Sequence, residues 1–130
     1  MVFHLAIPSS DLNRDALFYQ MIGAEIGRKY PSHIVMNFFN MQLVIHKVMP
    51  GEVDQEPKMY PRHFGVIFDE QATFLRKVAE FKNTVPHRYV FQDMMKRNMG
   101  KAEEHSTFFL KDPSNNLIEF KWYKNTNALF

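Results

Sequence analysis

FFLKDPSNNLIEF, residues 108–120, is the stretch on which the reading of this chain turns. Two apolar runs flank Asp112-Pro113-Ser114-Asn115-Asn116, five residues that all favour turns. The stretch therefore reads as strand, turn, strand. In the second run Leu117, Ile118 and Phe120 suit a core and Glu119 does not. Burying an unpaired carboxylate is very costly, so Glu119 needs a cation, a proton or a metal ion within reach. The question is which other residues can supply it.

Working outward, the final strands fall near 105–111 and 116–123. Before them, RHFGVIF (62–68) reads as a strand, and DEQATFLRKVAEF (69–81) as a helix capped by Asp69, with Phe74, Val78 and Phe81 on one stripe. A further strand is expected near 87–92, followed by a polar, methionine-rich loop at 93–104. The first half runs the same way. VFHLAI (2–7) reads as a buried strand closed by Pro8, and Ser9, Ser10 and Asp11 offer helix caps. Leu12, Ala16, Tyr19 and Ile22 follow helical spacing up to Gly23, a natural stop. Three short strands are expected near 24–30, 34–39 and 42–48. The segment 49–61, with three prolines and one glycine, reads as a connector.

The chain is thus a β-α-β-β-β unit written twice. The expectation is an α+β domain over 1–130, with module 1 at about 1–49, a connector at about 50–61 and module 2 at about 62–125. Its 130 residues suit one domain. A net charge of +2 without a basic stripe argues against nucleic acid as a partner. There is no cysteine, so a metal site must use His, Asp or Glu. No apolar run approaches the ~18 residues of a spanning helix, and the N-terminus does not read as a signal peptide, so no membrane partner and a cytoplasmic home are expected. Thirteen phenylalanines and nine methionines point to an aromatic, adaptable interior.

The repeat places four polar residues at matching points. His4 and His63 open the two halves, and His46 and Glu119 are expected to close them. Side chains alternate along a strand, so each should point away from the apolar neighbours that pack on the helix; Phe3 and Leu5 flank His4 in this way. Imidazoles and a carboxylate converging on one face make a divalent-metal site. The solvated alternatives are His33 and His87, near loop ends, and the heads of Lys47 and Lys121. His105 opens a strand that should line the cavity and is a candidate substrate contact, with Phe109 as cavity wall.

HLAIPSSDLNRDALFY, HFGVIF and FFLKDPSNNLIEF, in this order and spacing, resemble the vicinal oxygen chelate superfamily of glyoxalases, extradiol dioxygenases, fosfomycin-resistance proteins and bleomycin-binding proteins. That resemblance implies two βαβββ modules forming a half-open mixed β-barrel with the helices outside. It implies His4, His63 and Glu119 as metal ligands. His46 falls where glyoxalases usually carry a glutamate and where a comparable strand of ring-cleaving dioxygenases supplies a catalytic histidine. Two histidines and a carboxylate favour Fe(II), with Ni, Zn or Mn as alternatives, and a small substrate binding through vicinal oxygens. The reading that follows is an extradiol-dioxygenase-like enzyme, set against a glyoxalase-like lyase or isomerase and a non-catalytic ligand-binding protein of the bleomycin-resistance kind. Family habit implies a homodimer. Two departures stand out: HSTFFLK (105–111) has no tyrosine where ring-cleaving members aim one at the substrate, and no second glutamate replaces His46.

Overall fold

The computed structural model describes all 130 residues. They form β1 (His4–Ser9), α1 (Leu12–Met21), β2 (Glu25–Lys29), β3 (His33–Phe38), β4 (Met41–Lys47), β5 (Phe64–Phe68), α2 (Gln71–Thr84), β6 (Val90–Arg97), β7 (His105–Lys111) and β8 (Leu117–Tyr123). Short 3-10 turns occupy Pro50–Glu52, His87–Tyr89 and Thr126–Leu129. This is the expected α+β fold of two βαβββ modules.

The chain divides into two compact units: Met1–Lys58 with Lys111–Asn116, and Met59–Leu110 with Leu117–Phe130. The break falls inside the expected connector. Unlike the expected modules, the first unit also takes in the Asp-Pro turn.

In unit 1 the strand order is β1-β4-β3-β2. Parallel pairing of β1 with β4 leaves β1 at an edge, where Pro8 costs no ladder bond. Asp11 caps α1, accepting from the Arg14 N–H at 3.1 Å. Gly23, with φ +103°, ends it, as the Ala24 N–H returns to the Tyr19 carbonyl at 2.8 Å. Ala16, Phe18, Tyr19 and Ile22 are buried with Ile34, Met36, Phe38, Leu43 and Ile45 of the sheet. β3 turns into β4 through Phe39 and Asn40, both left-handed, the geometry of a two-residue hairpin that follows the strand twist. Phe3 departs from expectation. Its carbonyl accepts from the Gln42 N–H at 2.8 Å, but it precedes β1 and its side chain is 68% exposed rather than turned onto the helix.

Unit 2 repeats the plan with order β5-β8-β7-β6. Phe74, Val78 and Phe81 form the buried stripe of α2, as read from their spacing; Phe74 meets Phe68 and Phe81 meets Phe120, while Ile118 is buried on the same sheet. Two details differ. The helix starts at Gln71 behind Glu70, which makes no side-chain cap, so Asp69 does not cap it. The segment expected to be a loop from 93 is strand up to Arg97. Register shifts between Val90 and Gln92 and between Gln92 and Met95 break the alternation that would have marked it.

Candidate metal centre

Glu119 is buried on β8, and the neighbours it meets answer the question its position raises. The Thr107 hydroxyl on β7 donates to its Oε2 at 2.6 Å. His63, just before β5, puts Nε2 3.2 Å from Oε1, and the Lys121 ammonium lies 3.8 Å from the same oxygen. His63 is held from behind: its Nδ1 donates to the Met59 carbonyl at 2.5 Å. A carbonyl only accepts, so Nδ1 carries a proton, and in the neutral ring Nε2 then presents its lone pair to Glu119. Two lone pairs at 3.2 Å repel unless a proton or a metal ion lies between them. Two neighbouring ligands with bonds of about 2.1 Å to one ion stand about 3.0 Å apart, so the pair suits a divalent cation. Both groups already have the outer partners that ligands need, the Met59 carbonyl and the Thr107 hydroxyl.

Gly65 makes the approach possible. β5 pairs in parallel with β8, with Gly65 opposite Glu119. A Cβ at Gly65 would stand 1.8 Å from the Glu119 carbonyl oxygen. Phe109 meets the His63 ring edge-on, centroids 5.3 Å apart, and is 1% exposed, so it walls the histidine. His105 is 8% exposed, bonds through Nδ1 to the Glu103 carbonyl at 3.0 Å, and packs beside Tyr123.

His4 lies in unit 1. It is exposed, and its Nδ1 meets Oε1 of its β4 partner Gln42 at 2.7 Å, again leaving Nε2 free to bind. A groove of about 580 Å³ opens beside Gln42, lined among others by Arg28, Val35, Asn37 and Met41.

His46 does not occupy the place of Glu119. Glu119 stands one residue beyond Ile118, the partner of Phe64, and hence two beyond the level of His63. The matching position, two beyond Gln42, is Val44, which is buried. His46 sits two residues further along β4, opposite Pro8, about 13 Å along the strand from the level of His4. It is exposed and stacks on His33 at 5.2 Å, which stacks on Tyr30 at 4.6 Å. Within either unit, no three His, Asp or Glu side chains group closely enough to hold an ion alone. Unit 2 brings His63 and Glu119 together; unit 1 offers His4.

The sequence reading missed Thr107 and treated Lys121 as a solvated head; its side chain is 21% exposed and turns to Glu119. Alternation along β7 and β8 was the available signal.

No protein-family model matches the chain, and no curated protein does. Among solved structures, it is similar to a glyoxalase/bleomycin resistance protein/dioxygenase from Alicyclobacillus acidocaldarius, at 42% identity over 100% of this chain and 96% of that one, with a TM-score of 0.92. A lactoylglutathione lyase from Agrobacterium tumefaciens shares the fold at 17% identity, over 94% and 92% of the two chains, TM-score 0.67. So does a bleomycin-binding protein complexed with bleomycin, at 16% identity over 95% and 98%, TM-score 0.67. On the strength of the first match, this chain belongs to the glyoxalase/bleomycin resistance protein/dioxygenase family, within the vicinal oxygen chelate superfamily.

Proposed function

We propose that the chain is a metal-dependent enzyme whose His63 and Glu119, joined by His4, hold a divalent ion and take a small substrate through two adjacent oxygens. The observation that carries this reading is the His63 Nε2–Glu119 Oε1 contact at 3.2 Å, with the imidazole proton committed to Met59 on the far side. His4 reaches the ion from its own chain or from a second copy in a homodimer. Two imidazoles and one carboxylate favour Fe(II) and leave coordination positions for the substrate. When bound, the ion supplies Lewis acidity and, as Fe(II), a route to dioxygen chemistry. The protein's own residues do the rest. Thr107 fixes which carboxylate oxygen is offered, Met59 fixes the ring, and Phe109 holds it edge-on.

The reaction we favour is extradiol-dioxygenase-like cleavage of a catechol-like compound. A glyoxalase-like isomerisation and non-catalytic ligand capture are the outcomes it is tested against. Protein purified without chelator should retain metal, and His63→Ala and Glu119→Ala should each lose it. Oxygen uptake on a catechol panel separates ring cleavage from isomerisation. Metal content unchanged in both variants would defeat the site assignment. Metal bound without turnover on any catechol or oxoaldehyde would leave ligand capture as the function.

A further inference from the structure

Lys121 is the feature of unit 2 that the metal reading leaves unexplained. It stands two residues beyond Glu119 on β8 and so shares its face. Its ammonium lies 5.0 Å over the Tyr123 ring and 3.8 Å from Glu119 Oε1, the same oxygen that faces His63. A metal ion and an ammonium competing for one carboxylate oxygen repel each other. Were an ion held at Oε1, the flexible four-carbon stem of Lys121 would let its head swing aside and stay nearby. Thr107 still holds Oε2, so the carboxylate itself stays in place.

Resting on the metal reading above, we propose that Lys121 sets the charge of the ligand, selecting a small dianion that offers two adjacent oxygens. A divalent ion brings two positive charges, Glu119 removes one and the neutral histidines none, so the ion site alone matches a monoanion. Lys121 restores the second positive charge, and a dianion then neutralises the set. The same residue holds a counter-charge on Glu119 in the metal-free protein.

The two roles give effects of opposite sign, which a purely structural lysine would not. The probes are Mn(II) and oxalate, followed by titration calorimetry on wild type, Lys121→Gln and Lys121→Arg. Lys121→Gln removes the ion's competitor and should bind Mn(II) several-fold more tightly. With Mn(II) loaded, it should bind oxalate about tenfold more weakly. Lys121→Arg keeps the charge and should hold oxalate within about twofold of wild type. Thermal melts of all three confirm folding. Unchanged oxalate affinity in Mn(II)-loaded Lys121→Gln, or weaker Mn(II) binding by that variant, overturns the proposal while the metal reading stands. Failure of wild type to bind Mn(II) at all overturns both.

Discussion

The turn at Asp112 allows a quantitative test of how unit 1 is held together. Asp112 is fully buried. Its Oδ1 accepts from the Ser114 and Asn116 N–H groups at 2.9 and 2.8 Å, and its Oδ2 from the Tyr19 hydroxyl and Asn116 Nδ2 at 2.7 and 2.8 Å. Burial, reinforced by the charge of Asp15, still outweighs these bonds and pushes its pKa from 3.8 to about 7. At about 1.36 kcal/mol per unit, three units amount to about 4 kcal/mol. The sign follows from which state holds the proton. Below about pH 4 both folded and unfolded chains are protonated and there is no penalty. As pH rises to about 7 the unfolded chain gives up its proton while the fold retains it, so stability falls; above about 7 the loss is complete. Guanidinium unfolding of wild type and Asp112→Asn at pH 5 and pH 8 measures it. About two of those three units lie in this window, so wild type should lose about 3 kcal/mol relative to the variant. Burial also raises the pKa of Asp15, whose Oδ1 has no partner, adding a loss of the same sign that Asp15→Asn should remove. A gap between wild type and Asp112→Asn that stays constant, or widens in favour of wild type as pH rises, refutes the reasoning.

Three substitutions and one hydrodynamic measurement extend this. Gly65→Ala forces a methyl to within 1.8 Å of the Glu119 carbonyl, so β5 must leave β8; a variant that melts with wild type would show that the approach is looser than described. Thr107→Val keeps the shape but strips the donor from Glu119 Oε2, and should cost about 1–3 kcal/mol by denaturant unfolding and at least ~10-fold in metal affinity; wild-type values in both would remove Thr107 from the site. Phe74→Ala, at a position with no exposure, should cost about 3–5 kcal/mol in the same unfolding assay, and a loss under ~1 would mean that α2 is not seated as observed. Light scattering should return twice the chain mass if His4 or its partners are completed across a homodimer; a monomer that still binds metal would place all three ligands in one chain.

Much of the architecture is legible in the sequence because its signals are local. Phe74, Val78 and Phe81 recur at helical spacing, Asp-Pro-Ser-Asn-Asn marks its turn, and Gly23 ends α1. Glu119 drew attention because a carboxylate in an apolar strand must be satisfied, and His63 proved to be its neighbour. Register is another matter. Counting elements matched His46 in the first half to Glu119 in the second, but register between strands is set by contacts distant in sequence, and the position matching Glu119 is the apolar Val44. β6 was cut short because its bulges interrupt the period-two pattern. The cluster around Asp15 gave no warning at all. Its partner Ser114 is 99 residues away, bonding at 2.5 Å, and nothing in LNRDALFYQM distinguishes a buried aspartate from a solvated one.

The membership of Lys111–Asn116 in the first unit has a consequence for how such a gene could evolve. The two halves repeat one plan, yet a cut at the linker would remove part of the first unit. A fragment ending at Lys58 would strand the Tyr19 hydroxyl and Asp15 without Asp112 and Ser114, and would leave the Pro8 carbonyl without the Asn116 amide. Fission there would deliver a first half with its interior polar groups bereft, so selection must treat the pair of modules as one heritable piece.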